Sequence, residues 1–346
     1  MKFNYSNLFP FESAREQQDA AIEFSLDNFI NSNKKFCIIE AATGVGKSAI
    51  GLTIARYLNS RSQITDGFDK GAYFLTTQKI LQEQYVSDFS SVVSLKSSSN
   101  YNCKYHKKNT CAESQQLLRA ENKSSRFYKA CAYSCVYRER KQKFIDSAES
   151  ITNFPYFLTE TNYSGKLKPR EVLVIDEGHN IESVLSSFVE VSVSEYFTKN
   201  ILKMKFPYKL TQYQMFLWVR DKYLPEADRR LKHYESSIEK FGGEKIRERL
   251  KEFKSLTSQF DLLRSHVGKL KKFVKLYSGE NWVFETSHTE KRGFRKVSFK
   301  PIDVSPYAED SLFRMGSKIV IMSATIMDHE IFTRTLGIKK EDSCFI

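Results

Sequence analysis

Two short stretches of this sequence hold side chains that could grip and activate a triphosphate. The first begins with an apolar run, Phe36-Cys37-Ile38-Ile39, and passes through Glu40 into Ala41-Ala42-Thr43-Gly44-Val45-Gly46-Lys47-Ser48. The run reads as a buried strand, and the small residues after it as a loop that opens a helix at Ser48-Ala49-Ile50. That order is what a phosphate cradle requires. Gly44 and Gly46 let backbone N–H groups close around phosphate oxygens, Ala42, Thr43 and Val45 complete the loop, and the helix N-terminus adds its positive dipole end. Lys47 can then reach the β- and γ-phosphates and the Ser48 hydroxyl can hold Mg2+, so ATP or GTP is the expected ligand. The match has one departure: the first glycine of the general pattern is Ala41 here.

In the second stretch another apolar strand, Val172 to Ile175, ends in Asp176-Glu177-Gly178-His179. A parallel sheet would set that strand end beside the phosphate loop. Asp176 is the natural holder of Mg2+ through water, and Glu177 the natural group to orient and deprotonate the attacking water. By itself an Asp-Glu pair at a strand end reads equally as a helix N-cap with a first-turn acid. The cradle upstream is what favours catalysis.

Other polar residues are spaced around these two. Arg15 and Gln18 precede the loop, and the Gln18 amide could donate to and accept from an adenine edge. Thr76-Thr77-Gln78 follows the strand Tyr73 to Thr76, a turn whose hydroxyls and amide suit contacts to a nucleic-acid backbone, although N-capping explains Thr77 equally well. Ser323-Ala324-Thr325 ends the buried run Lys318 to Met322, and its hydroxyls could relay the state of the γ-phosphate to the acidic pair.

The chain has 346 residues, 41% of them hydrophobic, and a formal net charge of +13. Such a length accommodates two or three structural units. The charge points to a polyanionic partner such as nucleic acid. The first residues lack the apolar core of a signal peptide, and no run approaches the ~18 apolar residues of a membrane span. An intracellular protein with no membrane partner is therefore expected, cytoplasmic in a prokaryote or virus and cytoplasmic or nuclear otherwise. In a reducing compartment six cysteines are better read as metal or cluster ligands than as disulfides.

Between residues 96 and 143 there are twelve lysines and arginines against three glutamates, so most of the net charge sits in this stretch. Tyr101, Tyr105, Phe127, Tyr128, Tyr133 and Tyr137 are interleaved, a composition that can track phosphates and stack bases. Cys103, Cys111, Cys131 and Cys135 fall here too, separated by 7, 19 and 3 residues. A small, highly charged segment builds little core, so a metal centre holding it together is physically sensible. The spacing fits neither a zinc ribbon nor a ferredoxin run, and the metal stays open. Cys37 lies in the first strand as a small buried hydrophobe.

Ala49 to Leu58 reads as the helix after the loop, and Ser150 to Phe154 as a strand and turn. Farther on, Ile246, Leu250, Phe253, Phe260, Leu263, Val267, Leu270, Val274 and Tyr277 recur at helical steps, with Thr257 in the one gap. They predict a helix of about 30 residues. Leu231, Tyr234, Ile238 and Phe241 repeat the pattern before Gly242-Gly243, which predicts a helical hairpin, read as a packing arm without chemistry of its own. Short strands are predicted around Trp282 to Glu285 and Lys296 to Phe299.

Taken together these residues resemble the superfamily 2 DNA helicases of the XPD/DinG type, over nearly the whole chain and in the same order. Arg15-x-x-Gln18 looks like the adenine-reading motif, Ala41 to Ser48 like the family's Ala-containing phosphate loop, and Thr76-Thr77-Gln78 like the next DNA-contacting motif. Tyr101 to Cys103 and Ala130 to Tyr133 resemble the inserted iron–sulfur domain. Asp176-Glu177-Gly178-His179 resembles the DEAH box with Gly in place of Ala, and Ser323-Ala324-Thr325 the coupling motif.

The resemblance implies an α/β fold: a RecA-like P-loop NTPase domain with a parallel sheet over 1–95, 146–189 and 301–346, a cysteine-rich insertion over 96–145 and a helical arch over 190–300. It implies that the four cysteines hold a 4Fe-4S cluster, zinc being the alternative, and that the chain moves 5′ to 3′ on single-stranded or forked DNA using ATP and Mg2+. His179 is read as hydrogen-bonding within the coupling network, with a capping role near the start of its helix as the alternative. Family members continue into a second RecA-like domain whose arginines reach the γ-phosphate. The expectation is that such a domain comes from another polypeptide or a longer parent chain, and that this polypeptide alone hydrolyses ATP poorly. A regulatory module that binds nucleotide and nucleic acid without turnover is the other reading.

Overall fold

The computed structural model describes residues 3–61, 67–119, 121–241, 249–288, 293–326 and 328–346. Ile246 and the Gly242-Gly243 turn expected from the sequence lie outside them. The strands are β1 (Phe36–Glu40), β2 (Asp69–Thr76), β3 (Val93–Ser94), β4 (Glu149–Asn153), β5 (Arg170–Asp176), β6 (Val191–Ser194), β7 (Trp282–His288), β8 (Arg295–Pro301), β9 (Gly316–Ser323) and β10 (Ser343–Phe345). Two compact units divide the chain: Met1–Lys96 with Arg140–Phe188 and Val304–Ile346, and Ser97–Glu139 with Val189–Asp303.

The first unit is built on a seven-stranded sheet in the order β10-β1-β9-β5-β2-β4-β3, every neighbouring pair parallel. Parallel sheets are covered on both faces, so their central strands are apolar without alternation. All seven residues of β5 are accordingly buried. The helices of this part are α1 (Glu16–Ile30), α2 (Lys47–Arg61), which contains the expected helix Ala49 to Leu58, and α3 (Lys79–Asp88). Ile22, Leu26 and Phe29 of α1 and Ile50, Leu52 and Ile54 of α2 join Val174 and Met322 in one apolar core. The strand β10, which the sequence reading did not anticipate, extends the sheet beyond β1 and pairs Cys344 with Cys37.

In the second unit the basic segment and the helical segment, expected as separate insertions, fold together. The segment 97–139 contributes α4 (Cys111–Leu118) and α5 (Arg126–Tyr133), and α6 spans Val136–Asp146. The Arg119 guanidinium pairs with Asp261 and lies over the Phe260 ring, 5.0 Å from its centroid. The hairpin is present as two antiparallel helices, Leu224–Glu239 and Leu250–Leu276, the second 27 residues long. Tyr234 Oη donates to Gln259 Oε1 at 2.9 Å and Lys271 pairs with Asp228 at 2.7 Å. Thr257, the gap in the apolar pattern, is fully buried because its hydroxyl donates to the Phe253 carbonyl one turn back, at 3.0 Å. Near the end of this helix the buried stripe runs through Phe273, while Val274 is half-buried. Strands β6, β8 and β7 form a separate antiparallel sheet. No described helix is long and apolar enough to cross a membrane.

Candidate functional site

In the first unit β1 and β5 flank β9, with Glu40 opposite Ser323 and Asp176 opposite Met322. Because all three run parallel, their C-terminal ends share one edge of the sheet, where open α/β sheets bind ligands. The chain leaves β1 through the loop 41–46, in which Gly44 and Gly46 take the left-handed φ values of +85° and +87°. The loop is also crowded: a Cβ on Gly46 would stand 2.4 Å from Gln18 Nε2. Lys47, the first residue of α2, is only 8% exposed. Its ammonium donates to the carbonyls of Ala41 and Ala42 at 2.9 and 3.3 Å, folded back over the loop.

Arg15 and Gln18 sit against that loop. Gln18 is buried, its Oε1 accepting from the Arg15 backbone at 2.9 Å and its Nε2 donating to the Val45 carbonyl at 2.8 Å. Arg15 Nη1 donates to the Gly44 carbonyl at 3.2 Å. Both ends of the Gln18 amide are thus engaged by the chain, and in this conformation the residue braces the phosphate loop.

Opposite the loop, Asp176 is 7% exposed. Its Oδ1 accepts from the Glu177 backbone N–H at 3.0 Å and its Oδ2 from the Tyr85 phenol at 3.3 Å. Burial and then the neighbouring Glu177 charge push its carboxyl above the usual range, while the Lys47 charge pulls it back. The Ser48 side chain acts on the same phenol, partly offsetting the burial that raises its pKa. Asp176 thus meets a buried phenol that Ser48 also influences, and the Lys47 charge acts on the same carboxylate. A hydroxyl, a carboxylate and a cation beside a glycine loop at a helix N-terminus are the groups that a magnesium–triphosphate complex requires, and the donor set fits that ligand.

Glu177 adopts a left-handed backbone, φ 57° and ψ 49°, a conformation that costs a non-glycine residue energy and that clusters at functional sites. The turn sets its carboxylate 3.4 Å from His179 Nδ1. His179 Nδ1 also lies 2.8 Å from Ser323 Oγ, and its Nε2 lies 2.9 Å from Asn180 Nδ2. An amide nitrogen only donates, so the network assigns the ring hydrogen to Nδ1.

Gly178 stands where the resembled box has Ala, and the reason is spatial: a Cβ there would lie 2.3 Å from Ile321 Cγ2 on β9. Gly178→Ala is expected to destabilise the protein by ~1–3 kcal/mol through overpacking. In denaturant titrations the loss in a Gly178→Ala, Ile321→Ala double variant should be smaller than the sum of the single losses. Strict additivity would rule out the clash as the cause.

Ser323 is fully buried, and its backbone carbonyl accepts from Ala41 N–H at 2.9 Å, which ties the end of β9 to the start of the phosphate loop. Thr325 is exposed, and its N–H reaches Ser323 Oγ at 3.3 Å. In the Thr76-Thr77-Gln78 turn the three side chains divide. Thr76 is fully buried with its hydroxyl donating to the Gln78 carbonyl at 3.1 Å, Thr77 is half-buried and Gln78 is exposed. Only the last two can meet a partner.

In the second unit all four cysteines of the basic segment line one small pocket. Cys111 and Cys135 sulfurs are 3.4 Å apart, and Cys103 Sγ accepts from the His106 backbone at 3.3 Å. Burial, then the Cys135 thiol, pushes Cys111 up to about 12, and burial raises Cys131. The Ser114 hydroxyl lines the same pocket, buried and without a hydrogen-bond partner. Among the described residues no three or more His, Cys, Asp or Glu are arranged to hold a metal ion. Four convergent thiols and an orphaned hydroxyl are nevertheless a donor set suited to a sulfur-ligated centre. Tyr101 is half-buried, its ring 5.6 Å from that of Tyr137.

Two features of these sites were not legible in the sequence. Tyr85 looks like any core residue of α3, and only the fold shows what its hydroxyl meets. An open pocket of about 840 Å³ beside the cysteines is lined by Tyr105, Lys107, Lys108, Arg126 and Phe127 together with Lys254, which comes from the distant long helix.

The seven-stranded parallel sheet, with a phosphate loop after β1 and an acidic pair after β5, defines a RecA-like P-loop domain of the superfamily 2 helicase type. A family model described as "Type III restriction enzyme, res subunit" matches residues 12–207, more than half of the chain, and the chain belongs to that family. Among solved structures, an XPD helicase is similar over 97% of this chain and 62% of its own, with a TM-score of 0.55 and 16% identity. A truncated XPD is similar over 96% of this chain and 99% of its own, with a TM-score of 0.51 and 15% identity. The fold is thus that of XPD-type helicases, and the chain spans about 62% of the length of the XPD helicase. No curated protein matches the sequence. Family and fold together make this a helicase-type nucleotide-binding domain.

Proposed function

We propose that the chain is the motor part of an ATP-dependent DNA helicase that moves 5′ to 3′ on single-stranded or forked DNA. The observation that carries the reading is a shared sheet edge: the glycine loop and Lys47 leave β1 on one side of β9, and Asp176 and Glu177 end β5 on the other. Ser48 and Asp176 would hold Mg2+, whose charge would offset that of the β- and γ-phosphates. Lys47 leaves the Ala41 and Ala42 carbonyls to meet the same phosphates. Glu177 orients a water and takes its proton, and His179 and Ser323 link that carboxylate to the end of β9. Gln18 and Arg15 turn from bracing the loop to holding the base when nucleotide enters. Related nucleotidases gain roughly 10³ to 10⁵ in rate from an arginine supplied across the cleft. That group is assigned to a second RecA-like domain, on another polypeptide or in a longer parent chain.

In the second unit, Lys107, Lys108, Arg126 and Lys254 around Tyr105 and Phe127 suit a strand whose phosphates are neutralised while its bases stack. Cys103, Cys111, Cys131 and Cys135 are assigned to a 4Fe-4S cluster, with zinc as the alternative. Thr77, Gln78 and Tyr101 are assigned to DNA contact. The competing reading is a regulatory module that binds ATP and DNA without turnover.

One preparation tests these assignments. Purified anaerobically, the protein is expected to show the visible absorbance of thiolate-ligated iron, and its ATP hydrolysis with a second RecA-like domain present should rise on adding single-stranded DNA. A colourless, zinc-containing protein would replace the cluster with zinc. Hydrolysis that DNA does not change under any pairing would leave the regulatory reading standing.

A further inference from the structure

We propose that the Ser114 hydroxyl donates to sulfur of the centre held by Cys103, Cys111, Cys131 and Cys135, and that it raises the reduction potential of that centre. The inference rests on the reading of these cysteines as a 4Fe-4S site. Ser114 stands three residues after Cys111 on α4, a spacing that makes the two neighbours on the helix surface. It is 2% exposed and lines the same pocket as all four cysteines. Its hydroxyl finds no hydrogen-bond partner among the described residues.

Other buried hydroxyls on helices return their proton to the chain. Ser25, Thr53 and Thr257 donate to the carbonyls one turn back, at 2.6, 2.7 and 3.0 Å. At Ser114 the Thr110 carbonyl one turn back accepts from the backbone N–H at 3.0 Å, and the hydroxyl makes no such bond. A buried hydroxyl without an acceptor is destabilising, and alanine would fill a helical core position without that cost. Meanwhile the chain already turns donors toward the cysteine sulfurs. Cys103 Sγ accepts from the His106 backbone N–H at 3.3 Å, and Cys111 Sγ from Gln115 Nε2 at 3.6 Å. A thiol sulfur is a weak acceptor, whereas the sulfur of a thiolate carries charge and accepts strongly, so donors around four cysteines suit the loaded centre. Hydrogen bonds to sulfur withdraw charge from a cluster and favour the form that holds the extra electron. Ser114 adds one more such donor, from a position that water does not reach.

The test is a redox titration of the full chain, reconstituted anaerobically with iron and sulfide. Dithionite supplies one electron per cluster, and the visible absorbance reports the midpoint potential. Ser114→Ala is expected to shift the one-electron reduction equilibrium about fivefold toward the oxidised form, a fall of ~40 mV. Ser114→Thr and Ser114→Val repeat the comparison at equal side-chain shape: the threonine variant should keep the original potential, and the valine variant should fall with the alanine one. Ser134→Ala is the control. Ser134 lines the same pocket, but its hydroxyl donates to the Ala130 carbonyl at 2.9 Å, so the potential should stay in place. An unchanged potential in both Ser114→Ala and Ser114→Val, or an equal fall in Ser134→Ala, would overturn the inference while leaving the cluster reading intact. Should the unsubstituted chain take up no iron and sulfide, or carry zinc when purified anaerobically, the cluster reading itself fails, and the inference with it.

Discussion

Glu177→Gln is expected to abolish ATP turnover almost completely while leaving nucleotide affinity close to that of the unsubstituted protein. General-base catalysis by a positioned side chain contributes about 10²- to 10⁴-fold, and that is the expected loss in hydrolysis measured with a second RecA-like domain present. Glutamine keeps the size and hydrogen-bonding reach of the side chain but cannot take a proton from water. It should occupy the same strained turn, where residue 177 has a φ of 57° and faces His179 Nδ1 at 3.4 Å. Lys47, Ser48 and the glycine loop are untouched, so binding of a fluorescent ATP analogue should persist. Turnover unaffected by the substitution would remove Glu177 from catalysis. An equal loss of binding and turnover would instead make it a structural residue.

The largest effect on stability is expected at the opposite end of the same strand. Arg170 is 3% exposed, its guanidinium donating to the carbonyls of Ala72, Phe144 and Ile145 and to Ser150 Oγ. It also lies over the Tyr73 ring, 4.2 Å from the centroid. One side chain thereby closes the edges of β2, β4 and β5 and the end of α6. Arg170→Ala would strand those acceptors in a dry interior and open a cavity, costing on the order of 3 kcal/mol or more. Arg170→Lys should recover only a small part, because an ammonium cannot reproduce the planar fork. Urea unfolding of the three proteins measures this, and a loss below about 1 kcal/mol in Arg170→Ala would mean that water satisfies the vacated carbonyls.

Most of the first unit was legible because its signals are local. An apolar β-branched run, a glycine loop and a helix that begins at Lys47 are set by neighbours in the chain, and β1, β2, β5 and β9 follow the predicted runs. Where the reading and the structure part, the deciding atoms are distant in sequence. Gly178 was read as a departure from a motif, yet Ile321 occupies the space its side chain would need. Thr76 belonged to a promising polar turn, but β2 carries it into the core. The basic and helical insertions were separated by composition, which carries no information about the Arg119 pairing with Asp261 and Phe260.

The chemistry on offer can be read without coordinates: a glycine-lined anion cradle, a lysine, a hydroxyl, two adjacent carboxylates, four clustered thiols and an excess of positive charge. Those properties belong to residue types and short spacings, and they survive in any arrangement of the chain. Which of these groups come together depends on the fold. The placement of β9 between β1 and β5 sets the distance from cradle to carboxylates, and the packing of α3 brings a phenol to Asp176. Strand order and helix packing are the outcome of burying apolar surface across the whole unit, so no local pattern encodes them.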